Sequence, residues 1–273
     1  MSRLSRLTHA LHLWHRLTQP RYWFYERRLL TEVGRSGKMP NHVGLILDGN
    51  RRFARSLGLH TSKGHDLGAE KVHEVLTWCR ELDIHHVTLW VFSSDNKNRE
   101  PDEVKHILNL LASEAVEQTD EGDLHKYEVK TTIIGDLAGM PEHVVHALRE
   151  LERVTANYDK MFLNIAVGYG GREEITHAVR SWLRTKLDQG ETLEQVIGDL
   201  GNEVIESHLY TAGFPDPDFV IRTSGELRMS GFLLWQTAYS EFYFCDVFWP
   251  SFRKLDFLRA IRSYQARQRR FGR

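Results

Sequence analysis

The sequence predicts an α/β protein: a single domain around a central, mostly parallel six-stranded sheet flanked by helices, with a helical N-terminal arm. Three observations carry this. Six short runs rich in β-branched and aromatic residues alternate with stretches of helical periodicity. The runs are nearly all apolar, as in strands covered by helices on both faces. Four of them end in polar or flexible clusters, and open α/β sheets hold their ligands beyond the carboxyl ends of the strands.

Taken in order, the first strand is VGLIL at 43–47, followed by a helical pattern near 66–82. VTLWVF at 87–92 is the second strand, with a helix near 101–118 behind it. VKTTII at 129–134 precedes a helix near 141–156, and MFLNIAV at 161–167 precedes one near 171–188. DFVIR at 218–222 and FYFCDVF at 242–248 complete the sheet, and a last helical pattern covers 255–269. Residues 1–38 form the arm and 39–273 the domain.

With 41% apolar and 11% aromatic residues, the chain of 273 can bury a full core. Cys79 and Cys245 lie in apolar surroundings without CxxC or His/Cys ligand spacing, so both read as reduced core thiols of a cytoplasmic protein. No run reaches the roughly 18–20 apolar residues of a membrane span, and the N-terminus lacks the apolar core of a secretory signal. The net charge of −1 hides an asymmetry. Residues 1–38 hold eight Lys/Arg against two Asp/Glu, residues 252–273 eight against one, and the middle carries −14. Leu4, Leu7, Leu11, Trp14 and Leu17 share one helical face in the basic arm. That suits peripheral contact with the inner face of a membrane, or packing on the protein's own fold. Nucleic acid is disfavoured as a partner, because the acidic middle repels a polyanion.

The rim of strand ends carries the chemistry. Asp48-Gly-Asn-Arg-Arg52, Ser93 to Arg99, Gly168 to Arg172 and Arg222 to Glu226 each follow a strand. Gly49 permits a tight turn, and the N–H groups of the helix start after it favour an anion. Arg51 and Arg52 stand there against the helix dipole, a placement that a bound anion offsets. Arg99, Arg222 and Arg228, beside Ser93, Ser94, Ser224 and Ser230, form a donor set for phosphate oxygens. So many arginines on one rim call for a multiply charged ligand, a diphosphate or two. Asp48 and Glu241 are candidate Mg²⁺ ligands, since that ion takes one or two carboxylates plus substrate phosphates; pairing with Arg52 is the plainer role for Asp48. GxxxxGK[ST], a strand-following GxGxxG and DDxxD are all absent.

These residues resemble the cis-prenyltransferases, the family that includes undecaprenyl diphosphate synthase. The likeness runs from about residue 42 onward, through LDGNRRFAR, GHDLGAEK, FSSDNKNREP, NIAVGYGGREEI, PDPDFVIRTSGELRMSGFLLWQTAYSEFYF and the terminal RRFG. It implies a Mg²⁺-dependent condensation of isopentenyl diphosphate with an allylic diphosphate, geranyl or farnesyl, to form a Z double bond. By resemblance Asp48 binds Mg²⁺ and Glu241 completes the metal site. Gly49, Asn50, Arg51, Arg52 and Phe53, with His65, hold the allylic diphosphate. Arg222, Arg228, Met229 and Ser230 grip isopentenyl diphosphate. Ser93, Ser94, Asp95, Asn96, Lys97 and Arg99 order the reacting region, and Arg270 with Gly272 reaches a partner subunit's site, which implies a homodimer.

Asn96 matches the family's proton acceptor, but a neutral amide is too weak a base, so a diphosphate oxygen is the expected acceptor and Asn96 its orienter. Arg51, Phe53, Thr61 and Lys97 stand where the family usually has Gly, Trp, Arg and Trp. Likeness to the actinobacterial short-chain branch implies the C15 product Z,E-farnesyl diphosphate; a long-chain synthase is the alternative. A non-catalytic partner subunit is disfavoured, because Asp48, Arg222, Arg228 and Glu241 are all present. Leu67, Val72, Val75, Leu76, Ile107, Leu108 and Leu111 are expected to line a dry pocket for the prenyl tail. Ala69, Phe162, Leu163 and the helix at 104–115 are the expected chain-length determinants.

Overall fold

The computed structural model describes residues 23–120 and 122–267. Their contacts fall into two compact units, Pro40–Phe252 and the described parts of the two terminal segments, 23–39 with 253–267.

The larger unit holds a six-stranded sheet in the order β3-β4-β2-β1-β5-β6. Its strands are β1 (His42–Ile46), β2 (His86–Ser93), β3 (Val129–Ile134), β4 (Met161–Tyr169), β5 (Phe219–Arg222) and β6 (Glu241–Phe244). Every pairing is parallel, so "mostly parallel" becomes wholly parallel. β1 is the point where the chain changes direction across the sheet, with β2 on one side and β5 on the other. A crevice therefore opens beyond its carboxyl end, where Leu47 and Asp48 stand.

The helices of this unit are α2 (Asn50–Ser56), α3 (Thr61–Glu81), α4 (Pro101–Asp120), α5 (Asp123–Lys126), α6 (Glu142–Thr155), α7 (Gly171–Asp188), α8 (Leu193–Asp199) and α9 (Asn202–Glu206). The expected helix at 66–82 begins five residues earlier, at Thr61, with the His60 side chain accepting from the Ser62 N–H. Gly64, His65 and Gly68 had interrupted its apolar period. The expected last strand stops at Phe244 instead of 248. Beyond it the backbone bonds to a loop: the Arg222 carbonyl accepts from the Cys245 N–H, and the Val247 carbonyl from the Ser224 N–H, both at 2.8 Å.

The sheet divides the core. Gly44, Ile46 and Val220 meet the segment around Phe232 on one face. Leu89, Leu163 and Ile165 belong to the other, under α3, α4 and α6. Cys79 and Cys245 are both buried, and burial pushes the Cys79 thiol far up. Fully burying a Leu or Ile side chain contributes about 1.5–3 kcal/mol, so the aliphatic strands hold the scaffold rigid under a polar rim.

In the terminal unit, α1 covers residues 23–36 and α10 covers Lys254–Ala266. The Val33 carbonyl accepts from Gln265 Nε2 at 3.0 Å, and the Arg259 guanidinium lies 5.6 Å from the Tyr25 ring. Trp23 and Phe24 are exposed. The leucine stripe of the arm, Leu4 to Leu17, lies outside the described residues, as do Arg270 and Gly272.

α2 nests on α3 at two glycines. A Cβ on Gly64 would collide with the Asn50 carbonyl, and one on Gly68 with the Asn50 amide. Gly64→Ala should therefore lower stability by about 1–3 kcal/mol, as overpacking does. Gly198→Ala, in open space on α8, should be neutral or stabilising by up to about 1 kcal/mol. Urea unfolding of both variants checks the contrast, and equal midpoints would remove the close-approach argument.

Candidate active site

Asp48 follows β1 directly, and its backbone is pinned on both sides. Its carbonyl accepts from the Thr223 hydroxyl at 2.7 Å and from the Trp249 N–H at 3.0 Å, and its own N–H donates to Thr223 Oγ1 at 3.1 Å. Gly49 then turns at φ 109°, in the left-handed region, with Phe248 and Ser224 too close for any Cβ. The turn launches α2, so Arg51 and Arg52 leave the same point as Asp48. From β5, Arg222 reaches across: its Nη2 donates to Asp48 Oδ2 at 2.8 Å and its Nη1 to Ser230 Oγ at 2.8 Å and to the Arg228 carbonyl. Arg52 donates to Ser224 Oγ at 2.6 Å and to Glu226 Oε1 at 2.9 Å, and lies 3.4 Å from Asp48 Oδ1.

The loop that places these groups is strained. Ser224 and Ser230 hold positive φ values of 78° and 53°, each followed by a glycine that does the same. A non-glycine residue there costs about 1–3 kcal/mol, a cost that persists where the surroundings over-determine the conformation. Here Arg52 and Arg222 hold one serine hydroxyl each.

A second cluster gathers on Glu103, at the start of α4. His65 Nε2 and Arg99 Nη1 are each 3.1 Å from Glu103 Oε1, and Arg51 Nε is 3.5 Å away. The Glu103 side chain is only 7% exposed. Burial works to raise its pKa, but His65, Arg99 and Arg51 together hold the carboxyl below its usual range. Asp48 is in the same position, with Arg222 and Arg52 outweighing burial. Burial lowers His65 despite Glu103 beside it, so its imidazole is neutral near pH 7. Glu103 was not singled out from the sequence. Its signal was weak, a lone glutamate four residues after Arg99.

These groups line one polar cleft: Asp48 to Arg52, His65, Ser93, Asn96, Arg99, Arg222 and Ser230. Asn50 Oδ1, Arg51 Nε and Arg222 Nε are buried around it without a hydrogen-bond partner, polar capacity that a ligand can satisfy. Phe53, Ser94, Asp95, Lys97, Arg228 and Met229 do not line it. Asp95 and Lys97 are exposed on the short 3₁₀ helix Ser94–Asn98, and Arg228 turns outward to pair with Glu226.

Asp48 and Glu241 do not meet within one chain. β6 runs parallel to β5 with Glu241 beside Phe219 and Phe244 beside Arg222. Glu241 is thus level with Val43, toward the opposite end of the sheet from Asp48, about 16 Å away along the strand direction at ~3.3 Å per residue. Among the described residues no three His, Cys, Asp or Glu side chains converge on a possible metal position. Asp48 by itself fits Mg²⁺, because that ion needs only one or two carboxylates when phosphates supply the rest.

Behind the cleft lies an aliphatic cavity of about 150 Å³ between the sheet and α3, α4 and α6. Leu47, Asn50, His65 and Val91 border both spaces. The cavity's walls are mostly aliphatic, with the His73–Glu114 pair among them, and a largely apolar cavity accepts apolar ligands. Ala69, Val72, Leu76, Ile107, Leu111 and Leu163 line it as expected. Leu67, Val75 and Leu108 do not, and Phe162 lies outside it, stacked on His86.

A cationic cleft at the switch point of a parallel sheet, opening into a dry apolar cavity, defines a class of proteins that take an anionic head and a hydrocarbon tail. The comparisons agree. The profile of the undecaprenyl diphosphate synthase family matches residues 46–272. An isoprenyl transferase of Thermus thermophilus is 57% identical over 94% of this chain and 97% of its own. A (2Z,6E)-farnesyl diphosphate synthase of Thermobifida fusca is 49% identical over 93% and 97%. A geranylgeranyl-diphosphate-specific tritrans,polycis-undecaprenyl-diphosphate synthase of Methanocaldococcus jannaschii is 48% identical over 91% and 88%. The crystal structure of lavandulyl diphosphate synthase from Lavandula x intermedia, in complex with dimethylallyl diphosphate, superposes with a TM-score of 0.78 at 33% identity, covering 86% of this chain and 99% of that one. The chain belongs to the undecaprenyl diphosphate synthase family and is a cis-prenyltransferase.

Glu103 holds Arg51, His65 and Arg99 in place for an anion. Glu103→Ala should raise KM for an allylic diphosphate by about tenfold, ~1.4 kcal/mol, and change kcat less. Steady-state kinetics decide it: an unaltered KM would show that Arg51, His65 and Arg99 keep their places unaided.

Proposed function

We propose that the protein condenses isopentenyl diphosphate with an allylic diphosphate, geranyl or farnesyl, to a Z-configured prenyl diphosphate. The observation that carries this is the junction of the arginine-lined cleft with the aliphatic cavity at Leu47, Asn50, His65 and Val91. The allylic diphosphate sits over Gly49 to Arg52, with its tail in the cavity. Arg222 and Ser230 face the isopentenyl diphosphate. The allylic C–O bond breaks and the diphosphate departs with the electron pair. Arginines and N–H donors fixed in advance stabilise that developing charge. The isopentenyl double bond attacks the allylic carbon, a C–C bond forms, and loss of a proton leaves the new Z double bond. The dry cavity keeps water from the cationic carbon.

Asp48 would hold Mg²⁺, which when bound would supply Lewis-acid help to the leaving diphosphate. Glu241 joins such a site only if a second copy of the chain brings it there, which accords with a homodimer. Asn96 acts as an orienter: its Oδ1 accepts from the Ser93 N–H, and its N–H donates to Ser93 Oγ, both at 3.2 Å. A diphosphate oxygen takes the proton.

Product length follows cavity depth. From His65 to Arg80 the lining face of α3 rises about 22 Å at ~1.5 Å per residue, while one extended C5 unit spans roughly 4–5 Å with standard bond lengths. That depth holds about five C5 units, more than the three of Z,E-farnesyl diphosphate and about half of those in a decaprenyl or undecaprenyl chain. Among the described residues no helix is long and apolar enough to cross a membrane. The exposed Trp23 and Phe24, beside Arg27 and Arg28, support peripheral contact through the basic arm.

Labelled isopentenyl diphosphate with geranyl or farnesyl diphosphate and Mg²⁺ tests the reading, the products being sized chromatographically. Asp48→Ala should reduce turnover by about 10²–10³, and retention of full activity would refute the site. Asn96→Ala should slow turnover without adding a limb to the pH–rate profile; a new acidic limb would identify the amide's surroundings as the base. Deleting residues 1–38 should weaken co-sedimentation with anionic liposomes, and equal sedimentation would remove the membrane role of the arm.

A further inference from the structure

The far end of the aliphatic cavity changes character. Where α3 ends, its lining face passes from Val72 and Leu76 to Thr77 and Arg80; on α4 it passes from Leu111 to Gln118. Arg80 and Tyr127 meet there. The Arg80 guanidinium carbon stands 3.2 Å from the centre of the Tyr127 ring, and the Lys126 ammonium lies 4.9 Å from the same ring. Arg80 belongs to the last turn of α3, where the helix dipole favours a cation. Tyr127 caps α5 just before β3 enters the sheet.

We propose that the Arg80–Tyr127 stack is the stop for the growing prenyl chain, a polar plug rather than a bulky apolar floor. The inference rests on the prenyl-elongation reading and adds the residues that end elongation. A guanidinium held over an aromatic face is attracted by the ring quadrupole. A hydrocarbon end arriving from the cavity offers that guanidinium nothing in exchange for its remaining hydration and its ring contact. Each further C5 unit is therefore accommodated until the tail reaches this level and opposed once it must part the pair. The barrier is electrostatic and can be displaced, so the longest products should form a graded ladder instead of a single length. A merely structural stack, tying the end of α3 to the edge of the sheet, would affect melting but leave product length alone.

The test is the product ladder from labelled isopentenyl diphosphate and farnesyl diphosphate with Mg²⁺, resolved by reversed-phase chromatography, together with thermal melting of each variant. Tyr127→Ala and Arg80→Ala should move the longest product up by at least one C5 unit, with kcat/KM for the first condensation within about twofold of the parent. Tyr127→Phe keeps the ring and should reproduce the parent ladder. Arg80→Leu, which keeps bulk without charge, should also lengthen the products and serves where an alanine variant does not fold. An unchanged ladder in folded Tyr127→Ala and Arg80→Leu proteins overturns the stop while leaving the reaction intact. Absence of any elongation by the parent protein overturns the reaction reading and the stop with it.

Discussion

Like charges crowded into one cleft repel, and Arg51, Arg52, Arg99 and Arg222 line this one at the carboxyl ends of three neighbouring strands, with Arg228 turned outward at its rim. They are held there by three carboxylates. Asp48 takes Arg222 and Arg52, Glu226 takes Arg52 and Arg228, and Glu103 takes Arg51, Arg99 and His65. The carboxylates neutralise only part of the charge. What remains is a preorganised positive field for a multiply charged ligand, with the cost of assembling it met during folding.

That field depends on backbone geometry that few residues tolerate. Gly49 alone can make the turn from β1 into α2 between Phe248 and Ser224, and Gly64 and Gly68 let α2 settle against α3. Trp249 adds a brace: its N–H donates to the Asp48 carbonyl and its indole to the Gly68 carbonyl at 2.8 Å. The same indole lines the aliphatic cavity. One residue, through its backbone N–H and its indole, thus sets the spacing between the aspartate that faces the head group and the helix that walls the tail.

Head and tail are kept apart by dielectric as well as by shape. The polar cleft opens to water, where charged substrates arrive, while aliphatic side chains from both helices and sheet enclose the cavity behind it. His65 stands on the boundary, 9% exposed and neutral, a donor or acceptor that brings no charge to the mouth of an apolar space. Across the seam between α3 and α4, Asp66 pairs with His106 at 2.8 Å and His73 with Glu114 at 3.0 Å, which ties the two walls together.

Much of this was legible in the residues. Runs rich in apolar and β-branched residues marked all six strands, because strands covered on both faces carry little polar alternation, and polar clusters after four of them marked the rim. Asp48, Asn50 to Arg52, His65, Ser93, Asn96, Arg99, Arg222 and Ser230 all reach one cleft as the motifs implied. Glu103, Arg80 and Tyr127 carried no such mark. Each acquires its setting from a neighbour on another element, and a spacing rule along one chain does not report distances between elements. The same limit applies to Glu241. Its motif named a carboxylate, but only the parallel register of β5 and β6 decides which end of the sheet it occupies. Local chemistry follows from sequence because it depends on residue type and short-range geometry; depth, register and cross-element pairing were decided by tertiary packing, which alone brings distant residues to within bonding range.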